Sequence, residues 1–368
     1  MKMKKTLNNI KKTLIHKTKK IINLETGKAG GRDANHVLIV THGSNFHPDD
    51  VFATAAALLY YGVDKTGLGK FLHGFAEIQA KHSGEFVRVV RTLDRKVMDK
   101  ATILMDIGRE YDEKRNRFDH HQEGGAGKRD EGTPYASFGL VWKKFGKKIV
   151  GNVDIAEYVD RKLVKHIDAM DNGIQIAKSL FSDGTSPLLF EELINLDCDL
   201  VFGLGLEPQE MNRVFDKTFF KLIPIAQKMI ILTALKGIAK VDADKKLEHL
   251  YNKMVDKRVL IMDKKLPFRL SQCKDVLFSV YPSLRGGWAA QTVNIEEGSY
   301  EARTHFPKSW AGKSPEELKK VTGVTDAEFC HIGRWLVVAK SKEGILKMVA
   351  IALKEIEEGR EPVKMTLD

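Results

Sequence analysis

The stretch HVLIVTHGSNFHPDDVFATAAALLYYG (residues 36–62) contains a strand, a loop and a helix in immediate succession. Its first residues form a compact apolar run that is typical of a buried strand. An alanine-rich segment follows and ends at Gly62, as expected for a helix that a glycine closes. Between the two lies THGSNFHPDD (41–50), which holds two histidines and two aspartates. This order predicts an α/β unit with polar side chains at the end of its first strand.

Strands and helices continue to alternate after this stretch, which predicts a largely parallel sheet covered on both faces over residues 36–200. Residues 181–200 are expected to be loop-like, with SDGTSP (182–187) as a turn. The strands predicted next are EFVRVVRT (85–92) and ATILMDIG (101–108), and the helices are PYASFGLVWKKFG (134–146) and VDIAEYVDRKLVKHIDAMDNG (153–173).

The remaining residues predict a helical connector over 201–256 and a smaller C-terminal α+β domain over 257–368. A long helix is expected from about Glu207 to Met254. Its apolar run MIILTALKGIA (229–239) is shorter than the roughly 20 residues that span a bilayer, so we expect a core helix and no transmembrane segment. The predicted strands are KRVLIMDK (257–264), DVLFSVYP (275–282) and WAAQTVNI (288–295), and the helices are SPEELKKVTG (314–323) and KEGILKMVAIALKEIEEG (342–359).

The composition, 43% hydrophobic and 30% charged, is ordinary for a globular protein. Cys198, Cys273 and Cys330 are too widely spaced for a disulfide framework or a CxxC zinc site, so we expect reduced thiols in the cytoplasm. The net charge is +11, and the first twenty residues hold eight lysines and no acid. Residues 1–35 therefore predict a basic extension with an amphipathic helix. It would be a solubilising arm or, alternatively, a contact for nucleic acid or a membrane surface.

Histidines and aspartates lie just past the ends of several predicted elements. Because the carboxyl ends of parallel strands share one crevice, we expect these side chains to converge. Mixed imidazole and carboxylate donors suit Mn²⁺, Zn²⁺ or Fe²⁺ better than Ca²⁺. The donors are His42, His47 and Asp49 after the first strand, Asp106 at the end of the third, Asp119, His120 and His121 in FDHHQ, and Asp168 and Asp171 in HIDAMDNG.

Each donor taken alone has an ordinary structural interpretation. Asp168 could satisfy backbone donors near a helix end, and Asp171 could belong to a turn with Asn172 and Gly173. Four separate clusters, each at the end of an element, are harder to attribute to packing and favour a metal site. A carboxylate shared by two cations about 3.5–4 Å apart is the usual basis of two-metal phosphoryl hydrolysis.

Three segments, THGSNFHPDD (41–50), ILMDIGREYDEKRNRFDHHQ (103–122) and HIDAMDNG (166–173), resemble the melanocyte-proliferating-gene family, which is similar to the DHH phosphoesterases. The similarity continues through VYPSLRGGWAAQTV (280–293) and FCHIGRW (329–335) and covers residues 36–355 in order. The resemblance implies a DHH-phosphoesterase-like catalytic domain and two divalent metal ions. Mn²⁺ is the first candidate, with Mg²⁺, Zn²⁺ and Fe²⁺ as alternatives.

The resemblance also implies roles for individual residues. His121 would contact the scissile phosphate, and Asp119 would orient an imidazole. His47 stands where the DHH first motif has an aspartate, and HPDD stands where the family tends towards Cys and Glu, which leaves Asp50 with no assigned role beyond capping the helix. His42, His47 and Asp106 would hold one metal, and Asp49, Asp106, His120 and Asp168 (or, second, Asp171) the other, with Asp106 as the bridge.

The C-terminal domain is expected to bind the substrate. RGGW (285–288) resembles the glycine-rich, phosphate-facing stretch of DHH-associated domains, in which Gly286 and Gly287 would let backbone N–H groups approach an anion and Arg285 would add charge. Without the resemblance this run would be a turn between two strands. Further candidates are Arg303, His305, Lys308, His331 and Arg334, and Trp288, Trp310 and Trp335 would stack on bases or serve as packing residues.

The leading hypothesis is a two-metal phosphodiesterase that hydrolyses nucleic acid, as a 3′→5′ exonuclease on RNA or short oligonucleotides. The same metal pair would serve a small-molecule phosphohydrolase acting on pyrophosphate, a cyclic dinucleotide or a nucleotide. A hydrolase of amides or esters is a further alternative. The alternative from another class is a non-catalytic RNA-binding protein whose main contact is the lysine-rich arm.

Overall fold

The computed structural model describes residues 24–26, 36–72, 75–83, 85–179, 187, 189–266, 268 and 270–364. The amphipathic helix expected near the N-terminus and most of the SDGTSP turn lie outside these residues. The chain divides into two compact units, one up to Gly237 and one from Ile238. The division lies inside the predicted connector, and the domain limits at residues 35, 200 and 256 stay predictions.

The first unit contains a mixed sheet that is parallel in its middle. Strand β2 (His36–Thr41) pairs in parallel with β3 (Phe86–Arg91) and β4 (Ile103–Met105), and β4 pairs in parallel with β6 (Arg117–Phe118). Helices connect most of these strands, as parallel pairing requires. The two outer strands run antiparallel to their neighbours, and β1 lies within residues 1–35, for which the sequence predicted a basic extension. The described order is β1–β3–β2–β4–β6–β5, with β1 (Leu24–Thr26), β2 (His36–Thr41), β3 (Phe86–Arg91), β4 (Ile103–Met105), β5 (Tyr111–Asp112) and β6 (Arg117–Phe118).

Helices cover both faces of the parallel strands. On one face α1 (Pro48–Tyr60) packs against α4 (Ser137–Val150). On the other face Met98, the last residue of α3 (Arg95–Met98), packs with Val40 and Leu104. Asp160–Val164 join α5 to α6 as one wide helical turn. Helix α7 replaces the last part, residues 190–200, of the loop expected for residues 181–200. The helices are α1 (Pro48–Tyr60), α2 (Phe75–Lys81), α3 (Arg95–Met98), α4 (Ser137–Val150), α5 (Val153–Val159), α6 (Lys165–Asp171) and α7 (Phe190–Gly203).

Helix α8 (Pro208–Lys253) agrees with the long helix predicted from residue 207 to residue 254. One 18-residue window has a mean hydropathy of 1.5, so by length and composition α8 is apolar enough to cross a membrane. The sequence analysis considered only the apolar run of residues 229–239 and therefore underestimated the length of the apolar part of α8. A single helix of this kind is weak evidence for a span, because the core helix of a globular protein passes the same test, and 44% of this window is buried in the fold.

The second unit is an α+β arrangement around a mostly antiparallel sheet. Only β7 and β8 run parallel among its described strands. One face packs against α9 and α10 through Leu318 and Met348, and the other packs against Leu247 near the end of α8. The sequence did not predict β10 or β11. The described order is β10–β11–β9–β8–β7, with β7 (Val259–Ile261), β8 (Phe278–Pro282), β9 (Trp288–Thr292), β10 (Ala327–Cys330), β11 (Leu336–Ala339), α9 (Pro315–Thr322) and α10 (Lys342–Glu357).

Candidate metal centre

The loop between β2 and α1 begins with His42 and ends with His47. His42 Nδ1 lies 2.9 Å from the carbonyl oxygen of Gly43, which can only accept, so Nδ1 carries a proton. His42 Nε2 lies 2.9 Å from Asp50 Oδ1 and 3.4 Å from Asp106 Oδ2. Burial lowers the pKa of His42, but the carboxylates of Asp106 and Asp50 outweigh it and raise the pKa to about 11. A positive charge at Nε2, either a proton or a metal cation, would satisfy the two carboxylates that face it.

Asp50 is fully buried and takes part in both capping and the cluster. Its Oδ2 accepts from the backbone N–H of His47 at 3.0 Å, and its Oδ1 accepts from Thr41 Oγ1 at 2.8 Å. Asp50 thus closes the first turn of α1, as the sequence allowed. The ligand atoms of His42, His47 and Asp50 also lie within 4.8 Å of one another. This aspartate is a site residue that the sequence analysis left unassigned.

Asp106 directly follows β4 and has a left-handed backbone conformation, with φ of 56°. Its Oδ1 lies 3.3 Å from His120 Nε2, and its Oδ2 lies 3.4 Å from His42 Nε2. Ser137 Oγ, at the start of α4, lies 3.2 Å from Oδ1 and donates its single proton to the carbonyl oxygen of Phe118 at 2.6 Å. Each oxygen of Asp106 thus faces a different imidazole, which is the placement that a carboxylate between two cations requires.

The Nε2 atom of His120 is buried and has no hydrogen-bond partner among the described residues. It lies 2.9 Å from Asp171 Oδ2 and 3.3 Å from Asp106 Oδ1, but neither approach has the angles of a hydrogen bond. Burial lowers the pKa of His120, yet these two carboxylates raise it to about 11. An orphaned imidazole nitrogen that faces two carboxylates is the donor that a divalent cation would use.

Asp119 holds the turn that presents the two histidines. Its Oδ1 accepts from the backbone N–H groups of His120 and His121, at 2.8 and 3.2 Å, and lies 2.8 Å from His121 Nδ1. Its Oδ2 accepts from the backbone N–H of Arg109. Burial raises the pKa of Asp119, but the bonds from His121 and Arg109 hold it below the usual value. Asp119 therefore fixes the ring of His121, whose side chain is 55% exposed.

Asp49 lies in the first turn of α1, where it is fully buried and faces the N-terminus of α4. Its Oδ2 accepts from the backbone N–H of Ser137 at 2.9 Å, and its Oδ1 accepts from that of Phe138 at 2.8 Å. The first N–H groups of a helix have no partner within it, so they hold this carboxylate in place. Burial and the neighbouring carboxylate of Asp171 raise the pKa of Asp49 well above its usual value. A second cluster, with ligand atoms within 4.8 Å of one another, consists of Asp49, Asp106, His120 and Asp171.

Of the two aspartates in HIDAMDNG, Asp171 lies in this cluster and Asp168 does not. Asp168 is fully buried, and its Oδ2 accepts from Arg129 Nη2 at 2.7 Å. Its Oδ1 accepts from the backbone N–H of Gly139 at 2.9 Å. The residue that the sequence analysis preferred as a ligand thus binds an arginine and a helix N-terminus, and the structure brings its neighbour one turn later to the centre.

The two clusters fit divalent metal ions. Several carboxylates are buried together, and burying like charges is costly unless a cation compensates them. Both clusters mix imidazole nitrogen with carboxylate oxygen, the donor set that suits first-row divalent metals. A third overlapping group of Asp106, His120 and His121 lies at the same place.

The glycine-rich turn predicted to face phosphate connects β8 to β9. The N–H of Gly286 donates to the carbonyl of Ser283 at 3.1 Å, so the turn itself uses this donor. Gly287 has φ of +68°, and a Cβ there would lie 2.4 Å from the carbonyl oxygen of Ala339, so only glycine fits. Arg285 is exposed at the tip of the turn. The structure supports the turn and leaves the phosphate contact a prediction.

Arg303, predicted to contact substrate, lies in the core of the second unit with 1% exposure. Its Nη1 donates to the carbonyl oxygens of Cys273, Lys274 and Val276, and its Nη2 donates to that of Ser271. With its guanidinium surrounded by backbone carbonyls, this arginine has a structural role, and the substrate assignment is corrected.

The other predicted substrate contacts differ in exposure. His305 is partly buried, and burial lowers its pKa. His331 accepts at Nδ1 from the N–H of Gly333, and its ring lies 4.5 Å from that of Trp335, which is 39% exposed. Trp310 is a core residue with 1% exposure, so it cannot stack on a base. Trp288 packs against the core and under Lys342, Lys308 is exposed, and Arg334 binds Glu361 at 2.8 Å.

Comparison with known proteins identifies the family of this chain. Residues 38–197 and 203–353 match the family model MYG1_exonuc, described as Uncharacterised protein family (UPF0160). The chain belongs to this family. The resemblance to the melanocyte-proliferating-gene family is thereby confirmed, and the wider relation to DHH phosphoesterases stays a prediction. No solved structure matches the chain.

Members of the MYG1_exonuc family occur in distant organisms. The MYG1 protein of Dictyostelium discoideum is 26% identical over 86% of this chain and 96% of its own length. The MYG1 exonuclease of Homo sapiens is 25% identical over 86% of each chain. The MYG1 protein of Chlamydia pneumoniae is 25% identical over 86% of this chain and 97% of its own length. The similarity thus spans both units.

Proposed function

We propose that this protein is a two-metal phosphodiesterase that hydrolyses nucleic acid, as a 3′→5′ exonuclease on RNA or short oligonucleotides. The observation that carries the proposal is Asp106, whose two oxygens face His42 and His120 in separate clusters of donors. A shared carboxylate of this kind holds two cations at the spacing of about 3.5–4 Å used in phosphoryl transfer. Relatives named MYG1 exonuclease support nuclease activity.

The two clusters divide the proposed ligands between two sites. When bound, a pair of divalent cations, Mn²⁺ foremost, would activate water and neutralise the charge that develops on the phosphate. The chain itself supplies the positions of the donors, because the N-terminus of α4 holds Asp49 and the backbone N–H of Asp106 donates to the carbonyl oxygen of Phe118. The first site would use His42, His47, Asp50 and Asp106, and the second Asp49, Asp106, His120 and Asp171.

His121 is the proposed contact for the scissile phosphate. Asp119 engages its Nδ1, which leaves Nε2 as the nitrogen that can reach a substrate. More than half of the side chain is exposed, unlike the neighbouring ring of His120. In the second unit, Arg285 would contact phosphate, and the exposed Trp335 together with the partly buried His331 would stack on a base. His305, Gly286 and Gly287 stay in the proposed set.

We also propose a cytoplasmic location, as expected from the sequence. The three cysteines are buried, and no disulfide joins them in the described part of the chain. Proteins of a reducing compartment use cysteine in this way.

The decisive experiment incubates purified protein with RNA labelled at either end, in Mn²⁺ and in excess chelator. We expect stepwise shortening from the 3′ end that requires metal and is lost in Asp106→Asn. Asp154→Asn is the matched control, because this exposed aspartate in the first turn of α5 lies outside the clusters. Pyrophosphate, a cyclic dinucleotide, an amide and an ester are tested in parallel.

Each outcome separates the alternatives. Intact RNA together with turnover of pyrophosphate or a cyclic dinucleotide would replace the nuclease with a small-molecule phosphohydrolase. Cleavage of the amide or ester alone would point to a different hydrolase. Salt-sensitive RNA binding with no turnover of any substrate would refute the enzyme and support a binding protein.

A further inference from the structure

Arg91 is buried beside the loop of residues 42–47, called here the metal loop. It is the last residue of β3 and lies directly opposite Thr41 in the parallel pairing of β2 and β3. Its side chain is 1% exposed. Since the metal loop begins immediately after Thr41, the strand register alone places this guanidinium at the base of the loop.

The guanidinium binds the metal loop through backbone carbonyls. Nη2 donates to the carbonyl oxygen of Ser44 at 2.7 Å and approaches that of Asn45 at 3.4 Å. Ser44 has a left-handed conformation, with φ of 75°, which a serine rarely adopts without support. The donor is a buried, charged guanidinium, and a charge-assisted hydrogen bond is stronger than a neutral one, so Arg91 stabilises a loop conformation that the free chain would seldom adopt.

The same guanidinium also contacts α8. Nη1 donates to Asp216 Oδ1 at 2.6 Å. The guanidinium carbon lies 5.0 Å from the ring centre of Phe46 in the loop and 4.6 Å from that of Phe219 in α8. These two rings meet edge to face at 5.3 Å. One side chain therefore joins the end of β3, the metal loop and α8.

We propose that Arg91 is a positioning residue that sets where His42 and His47 present their nitrogens to a metal ion. The inference rests on the metal centre of the proposed function. The two histidines are the ends of a six-residue loop, so any freedom of the loop carbonyls becomes freedom of the ligands. Ordering that loop in advance lowers the entropy that metal binding must otherwise remove.

An arginine is needed for this role. Its planar fork sends one nitrogen to Asp216 and the other to Ser44, and its flat face lies against Phe46 and Phe219. A lysine has a single nitrogen and no flat face, so it can keep the charge but cannot make all of these contacts.

The test compares Mn²⁺ dissociation constants of metal-free Arg91→Met, Arg91→Lys and Asp216→Asn with those of the parent chain, by electron paramagnetic resonance of free Mn²⁺. We expect Arg91→Met to bind about 10–100-fold more weakly, as when other residues that support ligands are removed. Arg91→Lys should restore only part of this loss. Hydrogen exchange of peptides over residues 42–47, measured without metal, should be faster in each variant.

Arg303→Met is the matched control, because Arg303 is also buried and binds backbone carbonyls outside the metal centre. It should lower the melting temperature and leave the Mn²⁺ dissociation constant unchanged. If Arg91→Met does not fold, Arg91→Lys and Asp216→Asn decide the question. Folded variants that bind Mn²⁺ as tightly as the parent would overturn this inference alone. A parent chain that binds no Mn²⁺ would overturn the proposed metal centre as well.

Discussion

Replacing Gly139 with alanine should destabilise the first unit by about 2–4 kcal/mol, although alanine is the better helix former. Gly139 lies in the first turn of α4, where its N–H donates to Asp168 Oδ1 at 2.9 Å. A Cβ at this position would lie 1.9 Å from Asp168 Oδ2 and 2.7 Å from Asp168 Cγ. Helix α6, which carries Asp168, can approach α4 this closely because residue 139 has no side chain.

The magnitude follows from two opposing effects. Exchanging glycine for alanine inside a helix gains about 1 kcal/mol. To admit the methyl group, Asp168 must move, and it then loses its bonds from Gly139 and from Arg129 Nη2. Breaking a buried ion pair costs about 3–5 kcal/mol, since a charge is left without its partner. The difference corresponds to a melting temperature lower by about 4–16 °C in a unit of this size.

Differential scanning calorimetry in excess chelator measures this effect without a contribution from bound metal. Gly203→Ala is the control, because Gly203 ends α7 and, apart from its own helix backbone and chain neighbours, no atom of the described residues lies within 4 Å of the position of its Cβ. That variant should match the parent or gain up to about 1 kcal/mol. A Gly139→Ala protein that melts at or above the parent temperature would refute the reasoning.

Two further predictions concern a ligand and a thiol. Asp171→Asn should weaken Mn²⁺ binding at least ~10-fold, measured by titration calorimetry, since Asp171 faces His120. Asp168→Asn should mainly lower the melting temperature, because Asp168 binds Arg129. A larger loss of Mn²⁺ affinity in Asp168→Asn than in Asp171→Asn would contradict the assignment. Burial raises the pKa of the Cys330 thiol to about 11, above the value of about 8.5 expected in the unfolded chain. Between these two pH values the unfolded chain loses the thiol proton and the folded chain keeps it, so the free energy of unfolding falls as pH rises from about 8.5 to about 11. At pH 9 iodoacetamide should therefore label it much more slowly in the native protein than in urea, and equal rates would count against its burial.

Most of the first unit could be predicted from local patterns. The apolar runs that form β2 and β4 are continuous, as expected for buried parallel strands, whereas β3 alternates around the exposed Arg88. The parts that were missed depend on distant partners. Strands β10 and β11 have four residues each and are stabilised by pairing with each other and with β9. Helix α7 was expected to be a loop because its sequence lies beside a run of turn-forming residues.

The candidate site shows the same division between local and distant information. Asp168 and Asp171 are three residues apart on one helix, so both point to the same side and the pattern could not choose between them. Arg129 and Gly139 bind Asp168, and this fixes the rotation of α6 that brings Asp171 to the centre. Arg303 looked like a substrate contact because a cationic side chain is usually exposed.

The sequence by itself determined which candidate metal ligands the protein has and at which edge of the sheet they lie. A strand followed at once by HGSNFH, and another followed by Asp106, must bring their donors together wherever parallel strands end. Only the tertiary structure decided which donors face one another, since distances of 2.9–3.4 Å between His42, Asp106 and Asp50 depend on how α1, α4 and β4 pack. The tertiary structure also decided the roles of the two buried arginines. Arg91 and Arg303 donate to backbone carbonyls of distant segments, and no local pattern encodes those contacts.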